Sequence, residues 1–235
     1  MTETPLPPRF HLSAGPAQAA GLLPMFGRVL VGLARGAITH ERLGPVARVD
    51  LRDGWVTLGG EAHDAALLES AVARVVADRT GRMRDRVLPR LEFQDAEGAV
   101  LLSATALEGA EAFDAALADW VAEPAPPRPV PDAAQAPAPD DMAEDAATLA
   151  LEALRDSGGE VEIAMVTRAA RQSWRGRVEA VRPAMGFANI IGPDFHLHLR
   201  MGSLGGFRPA GAGREVLDTD GLPTGLTLSV LPPAC

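Results

Sequence analysis

Gly44-Pro45-Val46-Ala47-Arg48-Val49, then Gly54-Trp55-Val56, then Gly60, returns later in the chain as Gly176-Arg177-Val178-Glu179-Ala180-Val181, Gly186-Phe187-Ala188 and Gly192. The three glycine pairs are each separated by 132 positions. Farther on, Arg90-Leu91-Glu92-Phe93-Gln94-Asp95-Ala96-Glu97-Gly98 aligns with Gly213-Arg214-Glu215-Val216-Leu217-Asp218-Thr219-Asp220-Gly221 at an offset of 123, so the second copy is nine residues shorter in between. Glycines recur at matched places because backbone with positive φ tolerates little else, and an acidic residue before Gly between apolar alternations marks a hairpin. The expected fold is therefore α+β: two similar modules from an internal duplication, each an antiparallel sheet with packed helices.

Between the copies, from Val121 to Asp141, proline recurs too often for a helix interior or a sheet ladder. The expected layout is a first module over 12–120, a Pro/Ala-rich linker over 121–141 and a second module over 142–231. Within the modules, Ala17–Leu33 and Ala143–Leu154 read as helices, the latter started by Asp140 and Asp141. Asp64–Asp85 reads as more helical than its counterpart, with Leu67, Leu68, Val72, Val75 and Val76 at helical spacing, and Glu111–Trp120 as a capping helix. Val161–Val166, Arg177–Val181, Phe187–Ile191 and Phe195–Arg200 read as strands, and Met201–Phe207 as a loop. Trp55, Trp120, Trp174 and Phe187 are expected in the cores.

Composition narrows the function. The 235 residues, 47% hydrophobic and 23% charged, suit two small globular domains, and a net charge of −9 would repel a phosphate backbone, so nucleic acid is not an expected partner. Met1–Phe10 lacks the apolar centre of a signal peptide and no run approaches membrane-spanning length, which points to a cytoplasmic protein without membrane insertion. The single cysteine, Cys235, excludes an intrachain disulfide and a Cys-rich zinc or iron–sulfur site within one chain. With no lysine and no tyrosine there is no Schiff base, no P-loop lysine and no tyrosinate ligand.

The densest chemistry lies in Phe195-His196-Leu197-His198-Leu199-Arg200. The two-residue period of a strand puts Phe195, Leu197 and Leu199 on one face and His196, His198 and Arg200 on the other. Two imidazoles and a guanidinium could ligate a metal, hold a planar acid by ion pairing, or form an ordinary half-polar sheet surface. Zinc is disfavoured at this level, because no third and fourth ligand sits at a recognisable spacing. His40 beside Glu41 reads as a structural turn rather than an acid–base pair, since adjacent strand residues face opposite ways. His63 is an alternative ligand, being next to the position equivalent to His196.

The block Met185-Gly186-Phe187-Ala188-Asn189-Ile190-Ile191-Gly192-Pro193-Asp194-Phe195-His196-Leu197-His198-Leu199-Arg200, with Gly176–Val181 before it and Arg208-Pro209 and Glu215–Gly225 after it, resembles the second repeat of the HemS/ChuX haemin-degrading and haemin-transport family. Thr39–Gly44 and Leu91–Gly98 match the first repeat more loosely. The resemblance implies a cytoplasmic haem-binding or haem-trafficking protein that receives haem from an importer or passes it to an acceptor, with degradation of haem left open. Carried onto this sequence, it implies haem as cofactor, His196 or His198 as ligand with His198 on the iron, Arg200 and Arg208 at the propionates, and Met185 in the pocket. The family's axial histidine sits in a Thr-Asp-x-His segment whose counterpart, Asp140–Ala146, contains no histidine. The lysine of the family's Arg-Lys-Pro-Thr run is also missing. These departures support a competing expectation, a non-catalytic scaffold or partner-binding descendant that has lost haem ligation.

Overall fold

The computed structural model describes residues 6–128 and 145–233. The chain divides into two compact units, Met1–Gly32 with Leu43–Val130, and Leu33–Arg42 with Pro131–Cys235. The first half of the chain contributes β1 (Arg9–Leu12), α1 (Pro16–Ala20), β2 (Arg28–Arg35), β3 (Ile38–Pro45), β4 (Arg48–Arg52), β5 (Trp55–Gly59), β6 (Asp64–Leu68) and β7 (Arg74–Asp78). The two-residue strands β8 (Arg82–Met83) and β9 (Arg86–Val87) follow, then β10 (Arg90–Gln94), β11 (Val100–Ala106), α2 (Glu111–Leu117) and β12 (Val121–Pro124). The second half contributes α3 (Ala146–Asp156), β13 (Val161–Val166), β14 (Ala170–Gly176), β15 (Arg182–Ala184), β16 (Phe187–Ile191), β17 (Phe195–Arg200), β18 (Leu204–Ala210), β19 (Gly213–Asp218) and β20 (Pro223–Val230).

The duplication is visible element by element. At the 132-residue offset α1 falls within α3, β5 falls on β16 and β6 on β17; at the 123-residue offset β10 and β11 fall on β19 and β20. The nine additional residues of the first copy lie where the small β8–β9 hairpin is inserted. The matched glycines have a shared cause at Gly54 and Gly186, whose φ values are +77° and +78°. Each closes a two-residue hairpin, Asp53-Gly54 between β4 and β5, and Met185-Gly186 between β15 and β16, in which both turn residues have positive φ.

In the first unit the strands run in the order β12-β1-β7-β10-β11-β2 in one sheet and β6-β5-β4 in another, all antiparallel where they pair. Its core is built on Phe10, Phe93 and the Phe26–Phe113 pair, whose rings lie 5.0 Å apart. A charged cluster sits inside it. Arg9 of β1 joins buried Asp78 of β7 to buried Glu92 of β10, the latter at 3.0 Å. Arg128 also reaches Asp78, with Nε 3.0 Å from Oδ2, while Arg90 donates from Nε to Glu92 at 2.8 Å.

In the second unit β3-β17-β16-β15 form one sheet and β18-β19-β20-β13-β14 another. Asp145 caps α3 by accepting from the N–H groups of Ala147 and Thr148, and its other oxygen accepts from the Gly202 N–H at 2.7 Å.

Several local expectations are corrected. Ala17–Leu33 is not one helix: Gly21 caps α1, Pro24 lies in a 3₁₀ turn over Leu23–Phe26, and Gly27 at φ +66° turns the chain into β2. Asp64–Asp85 holds no α-helix but β6, a 3₁₀ turn over Glu69–Ala71, β7 and β8, because the apolar residues of β6 and β7 are buried on both faces, where alternation is lost. The strand expected at Arg177–Val181 lies upstream at Ala170–Gly176, and Leu204–Phe207, the end of the expected loop, opens β18. Val121–Pro124, read as the start of the linker, adds to β1 as an edge strand, where proline is tolerated. The linker continues from Ala125 to Arg128 without regular secondary structure, and its remainder, with Asp140 and Asp141, lies outside the described residues.

Candidate functional site

The antiparallel register of β3, β17, β16 and β15 determines what shares a face. His196 stands opposite Glu41 on β3 and Ile191 on β16; His198 stands opposite Thr39 and Asn189; Arg200 stands opposite Phe187. Cross-strand partners point the same way, so these residues form one outer face, completed by Arg182 and Ala184 of β15. The inner face belongs to Phe195, Leu197 and Leu199, all fully buried. Trp174 of β14 stacks on Phe195 with ring centroids 4.4 Å apart.

His40, next to Glu41, is on that inner face in mid-strand rather than in a turn. Its Nε2 donates to the Ile163 carbonyl at 3.1 Å, so Nδ1 is the acceptor for the Gln172 amide at 3.0 Å. Burial pushes its pKa down to about 4, against the weaker pull of the Ile163 carbonyl. His40 is a neutral core residue.

Over the outer face lies a cleft of about 550 Å³, lined by Glu41, Arg182, Met185, Phe187, Asn189 and His198 among others. That volume falls within the range of roughly 300–1,000 Å³ of small-molecule and cofactor sites. Glu41 Oε2 is 3.4 Å from His196 Nδ1 and 3.5 Å from His198 Nε2. Burial alone would raise the Glu41 carboxyl, but the two imidazoles beside it outweigh burial and hold its pKa at about 2. His198 is oriented from behind. Asn189 commits its amide N–H groups to the carbonyls of Arg182, Phe187 and Ala184 at 2.9, 3.1 and 3.3 Å, which turns Oδ1 towards His198 Nδ1 at 2.7 Å. Nδ1 therefore carries the proton, and Nε2 presents a lone pair to the cleft whenever the ring is neutral.

The sequence-derived candidates are thus only partly brought together. His196, His198 and Arg200 share the face, and the Arg200 guanidinium lies 5.6 Å over the Phe187 ring. Met185 stands at the cleft on its hairpin tip, 89% exposed. Arg208 is elsewhere, on β18, with Nε and Nη2 2.8 and 2.6 Å from Glu215 Oε2. His63 belongs to the first unit, where it is buried and bonded through Nε2 to the Gly44 carbonyl at 2.9 Å. Phe187, expected in the core, is a half-buried wall of the cleft. Glu41 and Asn189 were not singled out as part of this site. For Asn189, its place opposite His198 in a tight hairpin was the available signal; for Glu41, on a strand about 155 residues away, there was none.

Met185 adopts φ +54° where the equivalent hairpin carries Asp53 at +52°. Aspartate tolerates this conformation, whereas a long unbranched side chain does not favour it. Met185→Asn is expected to raise the stability of the unit by about 1 kcal/mol, read as an upward shift in thermal midpoint; an unchanged or lowered midpoint would show that no strain is held at the tip.

No protein-family model matches the sequence, and no curated protein matches it. Solved structures do match. The chain is similar to ChuS of E. coli, described as a heme oxygenase, at 20% identity and a TM-score of 0.74, covering 96% of this chain and 84% of that one. It is also similar to holo-PhuS of Pseudomonas aeruginosa, described as a heme-binding protein, at 15% identity and a TM-score of 0.72, covering 96% and 82%. The chain has the fold of these proteins.

Proposed function

We propose that this chain is a cytoplasmic haem-binding protein of haem-iron utilisation, holding haem in the cleft over β3-β17-β16-β15 and carrying it between an importer and an acceptor protein. The observation that supports this most is a cofactor-sized cleft with one imidazole nitrogen, His198 Nε2, turned into it by Asn189, in a fold shared with two proteins described as acting on or binding heme. Phe187, Met185 and partly exposed Ile191 supply apolar surface for a porphyrin. Arg182, at the cleft, and Arg200, on the same face, are suited to propionates; Arg208 is engaged by Glu215 and has no part in this reading. Haem, when bound, supplies iron and its oxygen chemistry, while the chain binds and orients it through His198 and limits access of water along the apolar wall.

A second reading, a partner-binding scaffold without haem, is favoured by one observation. In the segment where a Thr-Asp-x-His histidine would stand, Asp145 has a structural task, capping α3 and holding the Gly202 N–H. Titration of haemin into the protein separates the two. A saturable Soret shift at micromolar haemin, weakened at least about tenfold in His198→Ala, is expected; the lack of any saturable shift would leave the scaffold reading standing.

A further inference from the structure

We propose that Glu41, His196 and His198 form a binding site for one divalent transition-metal ion such as zinc, a site that does not depend on haem although both ligands would draw on His198. The three donors come from adjacent strands, on one face, at directly opposed or alternate positions, and their ligating atoms all lie within 4.8 Å of one another. Donors about 2.0–2.1 Å from a tetrahedral ion stand about 3.3–3.4 Å apart. The two observed separations from Glu41 Oε2, 3.4 and 3.5 Å, are close to that edge. They are long for charge-assisted hydrogen bonds, which run at about 2.7–2.9 Å.

The tautomer of His198 suits a metal ligand. Because Asn189 accepts the Nδ1 proton, a neutral His198 turns the Nε2 lone pair towards a carboxylate oxygen. His198 Nε2 and Glu41 Oε2 face each other across 3.5 Å, a separation that a metal ion bound to both spans better than a shared proton does. Asn189 acts as a positioning residue, with the amide–imidazole–metal arrangement by which outer contacts orient metal-bound histidines. Two imidazoles and one carboxylate suit a borderline divalent ion such as Zn²⁺, Co²⁺ or Fe²⁺, and the partly exposed face leaves room for a further ligand from solvent.

The test is titration of the purified, metal-stripped full chain with Co²⁺, followed by its visible d–d absorption, and with Zn²⁺ by calorimetry. One ion per chain is expected at micromolar concentration, with binding abolished in His196→Ala and weakened at least about tenfold in Glu41→Gln and in Asn189→Ala. Circular dichroism of each variant checks that it is folded. His196→Ala is expected to retain the haemin Soret shift, so loss of metal with retention of haemin separates this site from the haem reading. Absence of saturable Co²⁺ and Zn²⁺ binding by the folded wild-type chain, or binding untouched by both His196→Ala and Glu41→Gln, would overturn the proposal whatever haemin does.

Discussion

Asp78→Ala is expected to destabilise the first unit by about 3–5 kcal/mol, the range for removing one partner from a buried ion pair. Asp78 is fully buried at the end of β7 and is met by Arg9, Arg128 and the Thr80 hydroxyl, the last at 2.6 Å. Burial alone would raise its carboxyl, but hydrogen bonds from Thr80 and then the Arg128 guanidinium outweigh it and hold the pKa at about 2. Without Asp78, Arg9 keeps Glu92 alone as a charged partner among the described residues, and that carboxylate is shared with Arg90 and Arg128. The penalty is the desolvation of buried guanidinium, so Asp78→Ala combined with Arg9→Met is expected to recover part of the loss. Urea unfolding followed by tryptophan fluorescence measures both. A loss below about 1 kcal/mol in the single variant, the scale of an exposed pair, would mean that the cluster is solvated.

His40 is expected to make the second unit sensitive to acid. Its pKa in the folded chain is about 4, against about 6.5 when unfolded, so the unfolded chain takes up a proton first. The contribution is whole above the unfolded value and is lost as pH falls from about 6.5 to about 4, amounting to about 3 kcal/mol. Unfolding free energies measured at about pH 7 and about pH 4.5 should show most of this difference in the wild-type chain and much less of it in His40→Gln. Equal pH slopes in the two proteins would show that the imidazole is not buried in its neutral form. His40→Gln should also be less stable at neutral pH, because the contacts to Ile163 and Gln172 and the edge of the ring against Phe195 at 4.9 Å are lost.

Legibility differed by the range of the interaction. Strands β13, β16 and β17 match the sequence reading residue for residue, because alternation and a bounding Gly or Pro are local properties. The alternation also divided β17 correctly into a His196–His198–Arg200 face and a Phe195–Leu197–Leu199 face. The helical reading of Asp64–Asp85 failed for the converse reason. Ala65, Ala66 and Leu67 are buried in succession, and a strand covered on both faces has no period to detect. The reading of His40 beside Glu41 found the opposed faces but not their destinations, a core for one and a cleft for the other. Expectation of propionate contacts from Arg208 rested on resemblance alone, and its ion pair with Glu215 depends on the register of β18 with β19.

By itself the sequence determined the duplication, down to Gly54 and Gly186, because a two-residue hairpin with positive φ at both positions leaves its mark on the residue types that can occupy it. It also determined which face of β17 carries the polar side chains. Only the tertiary structure decided that Glu41 completes that face and that Asn189 sets the His198 tautomer. The physical reason is that strand pairing brings together residues with no local signal linking them. β3 contributes its carboxylate from the first half of the chain, and whether it met His196 or a leucine was a matter of one residue in register.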